Sequence, residues 1–140
     1  MRVFWDTNLF IYLWEEGPWS DAVRETRERM KALNSTWATS TLTVGEILVH
    51  PLRHGKAVQA ARYREAFRSI EVTPFDEEAA VRFATIRAQH PRLPPPDAIQ
   101  LACASLMDTD WFLTHDQRLK ALKIEGIKQV ASFRDFAAQD

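Results

Sequence analysis

One cysteine stands among the 140 residues, so no internal disulfide can form. Cys103, set between Ala102 and Ala104 and near Leu106, reads as a small core residue and not as a reactive thiol. A charged start followed by a purely apolar stretch is missing, and so is any long uncharged apolar run. The expectation is a cytosolic protein with neither signal peptide nor membrane span. Neither sign of charge is in excess: 18 basic residues face 19 acidic ones, for a net charge of -1. Proteins that hold nucleic acid by charge alone are clearly basic, so composition by itself does not announce RNA. Repeats and low-complexity tracts are lacking as well. What is plentiful is apolar and aromatic material, 46% hydrophobic with five Trp, eight Phe and two Tyr, enough for one packed core in a single domain over residues 1–140.

Charge is distributed less evenly than the total suggests. Arg53, His54, Lys56, Arg62, Arg64 and Arg68 share a stretch in which Glu65 is the one acid. A solvated helix face accounts for that pattern as well as a nucleic-acid surface does, and the second reading requires the stretch to border the carboxylates Asp6, Glu46, Asp97 and Asp116.

Along the chain, Arg2 to Trp5 reads as a short buried strand, and Asp6-Thr7-Asn8 opens an amphipathic segment from Leu9 to Trp14. Gly17-Pro18 breaks it. Ser20 to about Leu33 predicts a surface helix with one buried stripe, Trp37 to Thr39 a strand, and Leu42 to Val49 a helix ended by Pro51. Lys56 to Ser69 makes a further helix leading into a strand over Ile70 to Thr73, and Asp76 can cap a helix that runs to about Gln89. Pro91, Pro94, Pro95 and Pro96 predict an extended loop, after which Asp97 sits in a first helical turn followed by Ile99, Ala102, Cys103 and Leu106 at helical spacing. Strands over Trp111 to Leu113 and Lys128 to Val130 precede a terminal helix. Strands alternating with helices argue for a parallel sheet covered on both faces, with sites beyond the carboxyl ends of the strands.

Four carboxylates punctuate these elements: Asp6, Glu46, Asp97 and Asp116. Each follows or lies within an apolar segment, a costly place for charge unless a cation waits there. Taken singly, each has a plainer explanation. Asp6 can cap the helix after it at a worth of about 1 kcal/mol. Asp97 complements a helix dipole for roughly 0.3–1 kcal/mol. Asp116 after Thr114-His115 suits a turn. Glu46 matches a capping box with Thr43, but Leu42 and Val49 place it on an apolar stripe if the helix starts earlier, where its carboxylate needs a partner.

The set says more than its members. The blocks VFWDTNLFIYL, STLTVGEIL, PPPDAIQLACA and WFLTHDQRL, in this order and spanning Val3 to about Leu122, resemble the PIN-domain ribonucleases, and within them the VapC-type toxins. The resemblance implies a three-layer α/β/α sandwich with a central parallel sheet, an endoribonuclease dependent on Mg²⁺ or Mn²⁺, neutralisation by a VapB-like antitoxin, and a homodimer. Asp6, Glu46, Asp97 and Asp116 match the family's four acids in turn, and Asn8 and Thr114 its polar companions. His115 departs from the Asn common at its position. Mg²⁺ is a hard cation commonly held by one or two carboxylates plus water and substrate phosphate, so Asp6 and Asp97 are the expected metal ligands, with Glu46 and Asp116 holding waters or completing a second site. Asn8 and Thr114 are expected to orient the carboxylates.

Phe10, Trp14 and Trp19 suit either a groove for an antitoxin helix or the core. A binding module without catalysis fits the near-neutral charge but has no need of all four acids. A phospho-acceptor domain lacks its lysine after the later strand. An RNA-processing nuclease outside a toxin–antitoxin pair shares the same chemistry, and an adjacent antitoxin gene would separate the two.

Overall fold

The computed structural model describes residues 1–139. Five strands, β1 (Arg2–Trp5), β2 (Thr36–Ser40), β3 (Glu71–Thr73), β4 (Thr109–Thr114) and β5 (Ile127–Ser132), form one sheet in the order β3-β2-β1-β4-β5. Every pairing is parallel. The helices are α1 (Thr7–Trp14), α2 (Ser20–Ala32), α3 (Thr41–Arg53), α4 (Ala57–Phe67), α5 (Glu77–Gln89), α6 (Pro95–Leu106) and α7 (Phe133–Ala137), with a 3₁₀ turn over Gln117–Ala121.

Alternation along the strands sorts the core into two layers, because successive side chains leave opposite faces of a strand. Val3 and Trp5 of β1, with Trp111 and Leu113 of β4, face Leu9, Phe10, Val23, Met30, Ile47, Tyr63 and Phe67 from α1 to α4, and Phe133 and Phe136 from α7. Phe4 and Phe112 face the other way, stacked on each other at 5.3 Å and packed with Ala79, Ile86, Leu101 and Leu119. The three-layer sandwich expected from the alternating elements is present.

Two proline readings need correction. Pro51 lies inside α3, buried, and the helix continues to Arg53. Losing one N–H so near the end removes a single helical hydrogen bond, and the actual stop is Gly55, whose φ of 66° leaves the helical region. Pro95 and Pro96 are likewise not loop: they are the first two residues of α6, where backbone N–H groups have no helical partner anyway.

The sheet order places β1 between β2 and β4. The chain leaves β1 toward β2 on one side and returns to β4 on the other, so the crevice beyond the carboxyl ends of β1 and β4 is the point where strand order reverses. Asp6 follows β1 directly, and its N–H donates to the Leu113 carbonyl of β4 at 3.0 Å.

Candidate active site

Asp6 is the N-cap of α1 and is 8% exposed. One carboxylate oxygen accepts from the Thr7 N–H at 2.8 Å and the other from the Thr114 hydroxyl at 3.0 Å. Capping and a functional role are therefore not alternatives here, since the cap uses one oxygen and leaves a buried charge only partly satisfied. Burial raises the Asp6 pKa to about 6, against the lowering effect of Thr114 and the Thr7 N–H, and the nearby charges of Asp97 and Glu46 raise it further. Asp97, third residue of α6 and half-buried, is also raised, first by burial, then by Asp116 and Glu46, with Arg118 opposing.

Asp116 ends up in the opposite state. It caps the 3₁₀ turn by accepting from the Arg118 N–H at 2.9 Å, and the Arg118 guanidinium grips it in a fork, Nε to Oδ1 at 3.0 Å and Nη2 to Oδ2 at 2.6 Å. This pairing holds its pKa below the usual carboxylate value. Thr114 links the two strand ends: its hydroxyl donates to Asp6 and accepts from the Asp116 N–H at 3.0 Å.

Glu46 differs from its sequence reading. It is exposed, Val49 beside it is 47% exposed, and α3 starts at Thr41 after Ser40, so Thr43 is no N-cap and the capping box does not form. The apolar stripe of α3 runs through Thr43, Ile47 and Pro51 instead. Glu46 reaches the site from the rim, and its Oε1 accepts from the Thr7 hydroxyl at 2.7 Å.

Thr7, one residue before Asn8, is a neighbour of Asp6 that hydrogen-bonds a second site carboxylate. Asn8 is exposed, whereas Thr7 is buried within a polar network running under the carboxylates. Gln100, 1% exposed, donates from Nε2 to the Thr43 hydroxyl at 2.7 Å and to that of Thr7 at 3.1 Å, and its Oε1 accepts from Ser40. The Thr39 hydroxyl lies 2.9 Å from the Trp5 carbonyl and 2.8 Å from the Thr43 oxygen. The signal that could have found Gln100 is its spacing, three residues after Asp97 and so on the same face of α6.

The structure thus brings Asp6, Glu46, Asp97 and Asp116 to one crevice where they act on one another electrostatically. Among the described residues no three His, Cys, Asp or Glu side chains are close enough to hold a metal ion as they stand. The donor chemistry nonetheless fits a hard divalent cation: the donors are carboxylate oxygens, burial disfavours the charged form of Asp6 that a cation would stabilise, and Mg²⁺ needs only one or two protein carboxylates beside water and phosphate.

A model of the PIN domain matches residues 3–125. The chain belongs to the PIN domain family. No curated protein matches its sequence significantly. The PIN fold extends to solved structures. VapBC2 from Rickettsia felis bound to a promoter DNA fragment matches with a TM-score of 0.74 at 17% identity, covering 94% of this chain and 98% of that one. A DNA-bound VapBC from Salmonella typhimurium gives 0.72 at 23%, covering 95% and 98%. A toxin–antitoxin complex from Klebsiella pneumoniae gives 0.66 at 24%, covering 89% and 94%.

Other candidates take no part in the hydrogen bonds of the four carboxylates in this PIN domain. Phe10 is fully buried against Trp5, Trp14, Trp37 and Phe67, so it fills core and lines no groove. Trp14 is half-buried and stacks on Tyr63 at 5.2 Å. His115 turns toward aromatic rings, its Nδ1 2.9 Å from the Tyr12 hydroxyl and its ring edge-on to Trp19 at 4.6 Å. Cys103 is buried, which pushes its thiol up to about 11 and removes it as a nucleophile. Arg62, Arg64 and Arg68 lie on or just after α4, which packs on α3, whereas Arg118 bears on both Asp97 and Asp116. None of the basic residues of that stretch is among the charges acting on Asp6, Asp97 or Asp116. No described helix is long and apolar enough to cross a membrane.

Proposed function

We propose that this PIN domain is a metal-dependent endoribonuclease of the VapC type, neutralised by a VapB-like antitoxin. The observation that carries the reading is the buried Asp6 at the β1–β4 switch point, raised to about 6 and facing Asp97 and Glu46. A carboxylate so placed is stabilised in its charged form chiefly by a cation. Asp6 and Asp97 would hold Mg²⁺ or Mn²⁺, with Glu46 and Asp116 orienting waters or completing a second site. A bound cation of this kind generates a nucleophile from water at neutral pH and offsets charge on the phosphate. Thr7 fixes Glu46, Thr114 fixes Asp6 and the Asp116 backbone, and Gln100 fixes Thr7, so Asp6 and Glu46 are held in place as substrate arrives. No serine or cysteine nucleophile is required.

The antitoxin is inferred from the family resemblance and from the likeness to VapBC structures, and a homodimer from the family resemblance alone. The test is cleavage of total RNA by purified partner-free protein with Mn²⁺, with EDTA, and with Asp97→Asn beside wild type. Discrete products that need the metal and vanish in the variant are expected. Cleavage that survives both EDTA and Asp97→Asn would contradict the assignment.

A further inference from the structure

A cavity of about 570 Å³ opens beside the carboxylate crevice, between the Gln89–Pro94 segment and the 3₁₀ turn. Its floor is apolar, with Leu93, Leu119 and Leu122, and its rim carries His90, Arg92 and Arg118; none of its nine lining residues is acidic. That composition is the reverse of the crevice next door. Two covalent and electrostatic links join the cavities: Arg118 belongs to the rim of one while gripping Asp116 in the other, and Pro94 leads within three residues to Asp97. We infer that this cavity is the subsite for the nucleotide flanking the cleaved bond, its base against Leu93 and Leu122 and its phosphate on Arg92 and Arg118. The inference rests on the ribonuclease reading and adds where the strand lies.

Size, charge and rigidity each support a single-stranded nucleotide. The volume falls in the roughly 300–1,000 Å³ range of small-ligand sites. A base can enter only if it is unstacked, so a loop or single strand is selected over a duplex. The floor is firm because Leu93 and Leu119 are 8% and 2% exposed in the core. The rim is held by Arg87, whose Nη1 donates to the carbonyls of Pro91 at 2.9 Å and Leu93 at 2.6 Å. Arg92 is exposed and joins no ion pair among the described residues, leaving its charge for a ligand. The crevice acids alone would repel a phosphate chain, and the adjacent arginines supply the missing attraction.

The test compares Arg92→Ala, Arg92→Lys and Leu122→Trp with wild type and with Arg64→Ala on α4. Steady-state cleavage of a labelled single-stranded oligoribonucleotide in Mn²⁺ gives KM and kcat, end-mapping gives the cut positions, and calorimetry gives Mn²⁺ affinity. Arg92→Ala is expected to raise KM about tenfold with kcat within about twofold, the loss of one phosphate contact, and Arg92→Lys to recover most of it. Leu122→Trp, which fills the cavity, is expected to redistribute the cut positions. Mn²⁺ affinity and melting temperature should match wild type in all variants, and Arg64→Ala should change nothing. If wild type cleaves and both cavity variants keep its KM and cut positions, the subsite is overturned while the nuclease assignment stands. If wild type neither cleaves nor binds the oligonucleotide, both fall.

Discussion

The ends of β1 and β4 look alike in sequence, an apolar strand followed by an aspartate that caps the next turn, yet they hold their charge in opposite ways. Asp6 is buried against a helix start and raised to about 6, whereas Asp116 is partly exposed, paired with Arg118 and lowered. One end is short of a cation and the other has one of its own. The same residue type in the same local motif thus takes its chemistry from depth and from its neighbour, not from the cap. Thr114, bonded to both, keeps the two in register.

Removing the charge at the β1 end should have the largest effect. Asp6→Asn is expected to lower kcat for RNA cleavage by about 10³-fold or more, measured in Mn²⁺, because a group central to the reacting charge is lost. The same change at the β4 end, Asp116→Asn, should cost less, and equal losses would erase the contrast between the ends.

Stability against pH reads the contrast without activity. The folded Asp6 carboxyl titrates near 6 against an ordinary 3.8, so the folded state binds its proton more readily than the unfolded chain. The metal-free protein should accordingly be most stable below about pH 4 with respect to this group. That stability is lost as pH rises through about 6, by about 3 kcal/mol in all. Asp97 acts in the same direction and Asp116 in the opposite one. Denaturant melts in EDTA between pH 4 and 8 should show the decline, and Asp6→Asn should flatten it.

Thr114→Val takes the hydroxyl from both ends at once, leaving Asp6 Oδ2 and the Asp116 N–H without this partner. A loss of about 1–3 kcal/mol at neutral pH is expected from denaturant unfolding, the cost of stranding buried polar groups. Arg118→Ala should be the mildest: global stability should stay close to wild type because the pair is exposed, while the Asp116 carboxyl, followed by NMR, should titrate at higher pH than in wild type.

Much of this architecture was legible because it depends on local pattern. β1 and the strand–Asp–helix turn at Asp6 follow from a short apolar run and a capping residue, and alternation of strands with helices suffices for a covered parallel sheet. Pro51 misled because a proline near a helix end costs little, and the real stop, Gly55, required a positive φ. Glu46 misled because Leu42 and Val49 count as apolar whether or not anything packs on them, and Val49 meets solvent. Thr7 and Gln100 were missed because their value is tertiary: a threonine beside Asp6 and a glutamine in α6 become a network only when β1, α3 and α6 meet. Arg118 had no signal beyond its place two residues after Asp116.

The most direct test of a cation site completed by Asp6 is calorimetric titration of Mn²⁺ into the partner-free protein at pH 7.5 and pH 5, with Asp6→Asn alongside. Binding at pH 7.5 should weaken about tenfold or more at pH 5, where Asp6 holds its proton, and should be lost in Asp6→Asn. Equal affinity at both pH values, retained in Asp6→Asn, would contradict the account.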